Sequence, residues 1–140
     1  MDEIDRDILL HLQENARSSF TELGKKVGLS TPAVNERVKK LEEKGIIAGY
    51  KAIINPDKID KPITAFILYN NTKCEQFTAF CKNHTSVIEC HRLAGSYNYL
   101  IKVLTESVQS LESFIDASMS FGQPSTLIRL SSPVESKPMN

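Results

Sequence analysis

Ser19-Phe20-Thr21-Glu22-Leu23-Gly24-Lys25-Lys26-Val27-Gly28-Leu29-Ser30-Thr31-Pro32-Ala33-Val34 holds two helix starts and one helix stop in a single short run. Ser19 and Glu22 have capping-box spacing, which predicts a helix opening at Phe20. Gly28 suits a left-handed C-cap and ends that helix at Val27. Ser30 reads as the next N-cap. Pro32 falls in the first turn of the helix it opens, where a missing N–H costs nothing. This helix runs to about Lys44 and stops at Gly45. Only Gly28-Leu29-Ser30 separates the two, which is helix-turn-helix spacing.

Upstream of this run, Ile4, Ile8, Leu9 and Leu12 recur as the stripe of an earlier amphipathic helix from about Glu3 to Gln13. On the third helix Val34, Val38 and Leu41 share one face and must pack inward. At about 100° per residue, Pro32, Asn35, Glu36, Lys39 and Lys40 point away from that face, and Arg37 lies on its border. The second helix of such a pair enters the DNA major groove, led by its N-terminal residues. Ser30, Thr31, Pro32, Asn35 and Glu36 are therefore expected near base edges, where an amide can address adenine. Arg37, Lys39, Lys40, Lys25 and Lys26 are expected to neutralise phosphates. The competing reading is a three-helix fragment with an ordinary solvated face. A unit of about 45 residues buries little surface, so support from the rest of the chain or a second subunit is expected.

The charge balance refines this. Seventeen Lys and Arg match seventeen Asp and Glu over 140 residues, for a net charge of zero. That excludes a protein that coats nucleic acid through excess positive charge alone. The zero is uneven, however: residues 1–16 carry −4, residues 17–44 carry +3 and residues 45–140 carry +1. Hydrophobic content of 41% and charged content of 24% describe a globular chain, and no apolar run approaches membrane-spanning length. The acidic, helical start does not read as a signal peptide, so the expected location is the cytoplasm, with the three cysteines reduced.

Residues 46–54 are β-prone, and 49–54 are expected as an extended connecting strand before the Asn55-Pro56-Asp57 turn. Beyond Lys58-Ile59-Asp60-Lys61-Pro62 the pattern alternates. Strands are expected over Ile63–Asn70, Val87–Leu93, Tyr97–Leu104 and Ser125–Leu130. Helices are expected over Cys74–Asn83, with Phe77, Phe80 and Cys81 inward, and along Val108, Leu111, Ile115 and Met119, with Phe114 beside them. The order β-α-β-β-α-β is ferredoxin-like, giving an α+β chain in two parts. The expected domains are 1–48, a linker at 49–61, 62–132, and a loose polar tail at 133–140. Two helices cover one sheet face. The other face, expected to carry side chains such as Tyr97, Tyr99 or Ile101, suggests dimerisation.

Catalytic and metal chemistry find little support. Cys74, Cys81, His84, Cys90 and His91 cluster in sequence, yet they form no paired C-x-x-C knuckle. No phosphate loop, nucleophile elbow or H-E-x-x-H is present. No enzyme, metal or cofactor is expected. The remaining feature, Arg92-Leu93-Ala94-Gly95-Ser96-Tyr97-Asn98-Tyr99, reads as a turn between strands, or as a place where a ligand reaches bare backbone amides.

Together these residues resemble the Lrp/AsnC family of feast/famine transcriptional regulators over residues 2–132. The resemblance rests on Ile4-Asp5 with Ile8-Leu9, Asn15-Ala16-Arg17, Glu22-Leu23-Gly24 and Val27-Gly28-Leu29-Ser30. Its most specific part is Val34-x-x-Arg37-Val38-x-x-Leu41-Glu42-x-x-Gly45-Ile46-Ile47-x-Gly49-Tyr50. The second half is similar to the family's RAM module through Ala94-Gly95-x-Tyr97-x-Tyr99-Leu100. The resemblance implies a cytoplasmic, nucleoid-associated regulator that binds double-stranded DNA and pairs through its second domains, commonly as an octamer. It also implies a free amino-acid effector near the Gly95 turn, at Gly95, Ser96, Tyr97 and Asn98. Many members carry an acidic residue at the position of Asn98, and its absence removes a partner for an α-ammonium group. Two further readings stay open: an effector-independent protein that bends or wraps DNA, and a small-molecule-binding module without DNA binding.

Overall fold

The computed structural model describes residues 1–140. They divide into two compact units, Met1–Ile53 with Val134–Asn140, and Ile54–Pro133.

The first unit holds α1 (Glu3–Glu14), α2 (Phe20–Val27) and α3 (Thr31–Glu43). Asp2 caps α1 through a full capping box: the Asp5 N–H donates to Asp2 Oδ1 at 2.9 Å, and the Asp2 N–H donates to Asp5 Oδ2 at 3.3 Å. Ser19 Oγ accepts from the Glu22 N–H at 3.1 Å, so only the serine half of the box expected there forms. Gly28 ends α2 at φ 75°, and Ser30 Oγ accepts from the Ala33 N–H at the start of α3. Ile8, Leu12, Leu23, Val34, Val38 and Leu41 form the core. Burying each such side chain contributes about 1.5–3 kcal/mol.

After α3 the backbone turns through Gly45 at φ 71°, and the Ile46 and Ile47 N–H groups return to the Leu41 carbonyl. Residues 49–54, expected as a strand, form none. A strand needs a ladder partner, and every strand of the one sheet lies between residues 63 and 128. Ile53 is left 93% exposed. A single 3-10 turn, Pro56–Ile59, follows. The C-terminal tail, expected as loose, meets α1 at one residue. The Gln13 side chain donates to the Met139 carbonyl at 2.9 Å and accepts from the Met139 N–H at 2.8 Å.

The second unit runs β1 (Ile63–Asn70), α4 (Cys74–Asn83), β2 (Val87–Arg92), β3 (Tyr99–Thr105), α5 (Val108–Ser118) and β4 (Gln123–Ile128). All neighbours in the sheet order β2-β3-β1-β4 are antiparallel. Ala65, Ile67, Tyr69, Tyr99, Ile101 and Val103 face the helices and pack on Phe77 and Cys81 of α4 and Leu111 and Phe114 of α5.

Three expectations change here. Tyr99 and Ile101 point into this core, not out of the open face, because they stand opposite Tyr69 and Ile67 in the β1–β3 register. Strand alternation then puts Phe66, Leu68, Leu100 and Lys102 on the uncovered face; Lys102 Nζ lies 5.8 Å from the Phe66 ring centroid. On α5 the inward stripe is Leu111, Phe114 and Ser118, whereas Val108 and Met119 are 56% and 59% exposed. The closing strand lies two residues earlier than expected, ending at Ile128.

Candidate nucleic-acid interface and effector turn

The reading unit is built from close backbone approach. Gly24 sits where α2 meets the turn: a Cβ there would lie 2.5 Å from the Leu29 carbonyl oxygen. That carbonyl belongs to the residue whose own N–H donates to Gly24 O at 2.9 Å. The two helices are also joined by a hydroxyl contact of 3.1 Å between Thr21 and Thr31. Sequence reasoning missed this bridge; Thr31 directly follows its serine cap and Thr21 stands two residues after its own.

Of the ten residues expected at DNA, Lys25, Lys26, Ser30, Thr31, Pro32, Asn35, Glu36, Lys39 and Lys40 are exposed. Lys25 and Lys26 occupy the last turn of α2, and the other seven lie on or beside α3. The inward triad Val34, Val38 and Leu41 is buried, so the polar arc faces away from the core. Tyr50 donates to Glu42 Oε1 at 2.8 Å, holding the chain after α3 against that helix. Burial, then the Glu42 carboxylate, push the Tyr50 phenol up to about 12.

Arg37 differs from the other nine. Its Nη1 donates to both carboxylate oxygens of Asp2, at 2.9 and 2.8 Å, and to Asp5 Oδ1 at 3.0 Å. The guanidinium is half-buried, and its affinity for the proton is raised, first by Asp2 and then by Asp5. The same hydrogen bond holds the Asp2 carboxyl below its ordinary range. The helical wheel placed Arg37 on the border of the core. What it could not show was that the α1 capping box would lie opposite.

In the second unit the Gly95 turn is defined by backbone bonds. The Leu93 N–H donates to the Asn98 carbonyl at 2.7 Å, and the Asn98 N–H donates to the Tyr69 carbonyl at 2.7 Å. Gly95 has φ 138°, which only glycine adopts readily. Gly95, Ser96 and Asn98 are exposed and Tyr97 is half-buried, so the four expected residues share one turn. Thr72 Oγ1 donates to Asn98 Oδ1 at 3.5 Å. The polar groups offered are neutral, with no carboxylate among them.

The cysteines are free thiols: Cys74 and Cys90 exposed, Cys81 buried. Burial first, then the neighbouring Cys90, push the Cys81 thiol up to about 12. No group of three or more His, Cys, Asp or Glu side chains is placed to hold a metal ion. No helix is long and apolar enough to cross a membrane.

Residues 1–48 match a winged helix-turn-helix DNA-binding model, and residues 64–139 match the Lrp/AsnC ligand binding domain. The first unit has no strand, so no β-wing flanks α3. The uncharacterized HTH-type transcriptional regulator YezC of Bacillus subtilis is 53% identical over 132 residues, covering 94% of this chain and 95% of that protein. The solved structure of LrpC from B. subtilis superposes with a TM-score of 0.91 at 31% identity, covering 97% of this chain and 99% of that one. A Neisseria meningitidis transcriptional regulator solved as its L-methionine complex superposes with a TM-score of 0.92 at 28% identity, over 100% of this chain and 96% of that one. With both units matched and relatives of this identity spanning nearly the whole length, the chain belongs to the Lrp/AsnC family of DNA-binding transcriptional regulators, which are not enzymes.

Proposed function

We propose that this regulator binds double-stranded DNA as an oligomer, with α3 entering the major groove. The carrying observation is the exposed polar arc of α3, fixed from behind by Val34, Val38 and Leu41 and in front by the Ser30 cap. Asn35, Glu36, Thr31, Pro32 and Ser30 approach base edges. Lys39 and Lys40, with Lys25 and Lys26 from α2, meet phosphates. The dimer forms through the uncovered sheet faces and assembles further, with an octamer as the expected end state. Such a protein works in the cytoplasm, on the nucleoid.

The test is a footprint on the DNA upstream of its own gene, with and without mixed amino acids. Changing Lys39 and Lys40 to Ala is expected to weaken all sequences alike and lower the salt slope by about one unit per lost phosphate contact. An unchanged slope removes those lysines from the interface. Replacing Asn35 with Ala is expected to change sequence preference. Equal losses on operator and random DNA would argue against base readout.

The effector is a small free amino acid held at the Gly95 turn, through the exposed Gly95, Ser96 and Asn98 and the half-buried Tyr97. The neisserial relative's L-methionine complex supports the ligand class. A second reading, DNA bending or wrapping without an effector, is favoured by Asn98, which leaves no carboxylate in the turn for an α-ammonium group. A thermal-shift panel of the common amino acids separates the two. Stabilisation by one of them supports sensing, and none across the panel supports the architectural reading.

A further inference from the structure

We propose that Arg37 is a positioning residue of the DNA-reading unit, not a phosphate contact: with Asp2 and Asp5 it fixes the roll of α3 against α1. Arg37 Nη1 meets three carboxylate oxygens at 2.8–3.0 Å, and the side chain is about two-thirds withdrawn from solvent. Those oxygens belong to the N-cap and N3 residues of α1, which also bond each other's backbone. A phosphate would have to displace two charge-assisted partners that are already in place, one of them the bidentate Asp2 carboxylate.

Position explains why the clamp matters for reading. Apolar contacts hold α3 on α1 and α2 through Val34, Val38 and Leu41. Such contacts decide which face of α3 turns inward, but being non-directional they do not by themselves hold its roll to a fraction of an ångström. Arg37 lies beside that stripe in the middle of α3, and it is tied to a point on α1 that is itself fixed by a cap. The direction in which Asn35 and Glu36 project is set by this roll. Base readout needs placement within a fraction of an ångström, so a small rotation is costly to recognition while leaving the fold intact.

The sign of an electrostatic effect makes this testable. Asp2 and Asp5 put two negative charges near a surface that must approach DNA. Asp2→Asn with Asp5→Asn removes both and keeps the cap, because Asn is as good an N-cap as Asp. Electrostatics alone then predicts tighter DNA binding, whereas positioning predicts weaker binding.

Operator binding is measured by the full-length protein over a salt series, with circular dichroism confirming that each variant is folded at the assay temperature. Arg37→Gln is expected to weaken operator binding about tenfold with the salt slope unchanged. Asp2→Asn/Asp5→Asn is expected to weaken it severalfold despite the added positive charge. The triple variant is expected to be no worse than Arg37→Gln alone, since all three act through one clamp. Arg37→Lys keeps the charge, but its ammonium stops short of the place where Nη1 meets the two carboxylates, so it is expected to recover only part of the loss. A slope lowered by about one unit per protomer in Arg37→Gln would make it a phosphate contact and overturn the proposal. So would tighter binding by the double aspartate variant. Unchanged affinity with a lower melting temperature would reduce the clamp to a stabilising contact, and equally overturn it.

Discussion

Gly24 and Gly28 lie four residues apart, yet the turn needs each for a different reason. Gly28 has open space around it and a left-handed φ of 75°. Gly24 sits in ordinary helix, but with backbone 2.5 Å from where a Cβ would stand. Gly28→Ala is expected to cost about 1–2 kcal/mol, the strain of a side chain in the left-handed region. Gly24→Ala is expected to cost more, about 2–3 kcal/mol or above, because the Leu29 carbonyl is main chain and cannot swing aside. Thermal unfolding of the two variants gives the order, and a less stable Gly28→Ala would show that the turn yields at Leu29. Tyr69 offers a second test. Its hydroxyl donates to Ser118 Oγ at 2.7 Å inside the core, and burial pushes the phenol up to about 12. Ser118 still donates to the Ile115 carbonyl when the phenol is gone, so Tyr69→Phe orphans no donor and should cost only about 1 kcal/mol. Between about pH 10 and 12 the unfolded tyrosine ionises while the folded one keeps its proton. The unfolded state then binds fewer protons, and stability falls as pH rises through that window. Tyr69→Phe should flatten the fall, as read by denaturant midpoints at pH 9 and pH 11.

At the scale of elements, what was legible in the sequence follows the range of the force involved. The start and end of α2 and the start of α3 are local chemistry, a serine three residues before an N–H or a glycine where φ turns positive, and they are where the residues put them. The Asp2 box is equally local, an Asp-x-x-Asp spacing just ahead of the α1 stripe. The exposed arc of α3 was also legible, since Val34, Val38 and Leu41 fix its opposite. Arg37 was not, because its partners are more than thirty residues away. The same limit explains the second unit. A stripe through Val108, Leu111, Ile115 and Met119 has good helical spacing, but Phe114 is the larger side chain and takes the core position, rotating α5 so that Val108 and Met119 face out. On β3, Tyr99 and Ile101 are as apolar as Leu100, so periodicity cannot say which set faces the helices; the pairing with Tyr69 and Ile67 decides. Phe114→Ala is expected to cost about 3–5 kcal/mol, whereas Met119→Ala should stay within about 0.5 kcal/mol. Comparable losses in the two would restore the stripe read from spacing.

For the whole molecule, a net charge of zero has to be reconciled with binding a polyanion. One reading unit carries a small local excess, and its acidic α1 lies in the same compact unit, so one protomer brings weak electrostatics to DNA. The proposed oligomer would join several reading units and turn the later contacts into intramolecular events at high effective concentration. The uncovered sheet face, with Phe66, Leu68 and Leu100 half-buried in the single chain, is the surface that can make the join. Lys102 stands opposite Phe66 on the two central strands and pairs at 3.6 Å with Glu89 of the edge strand β2, so the one charge on this face already has a partner. Burying a positive charge at the centre without a partner is costly. Leu68→Lys with Leu100→Lys should therefore yield a folded monomer, since neither residue belongs to the core cluster on the helix side. Sedimentation velocity reads the mass, and a gel shift reads binding to a two-site and a one-site DNA. The monomer is expected to lose about a hundredfold or more on the two-site DNA, in line with the avidity lost. On the one-site DNA it should change little, because α3 and its lysines are untouched and two added lysines can only favour a polyanion. A monomer that holds two-site DNA as tightly as the parent would mean that one reading unit suffices, and that the balanced charge is no obstacle to it.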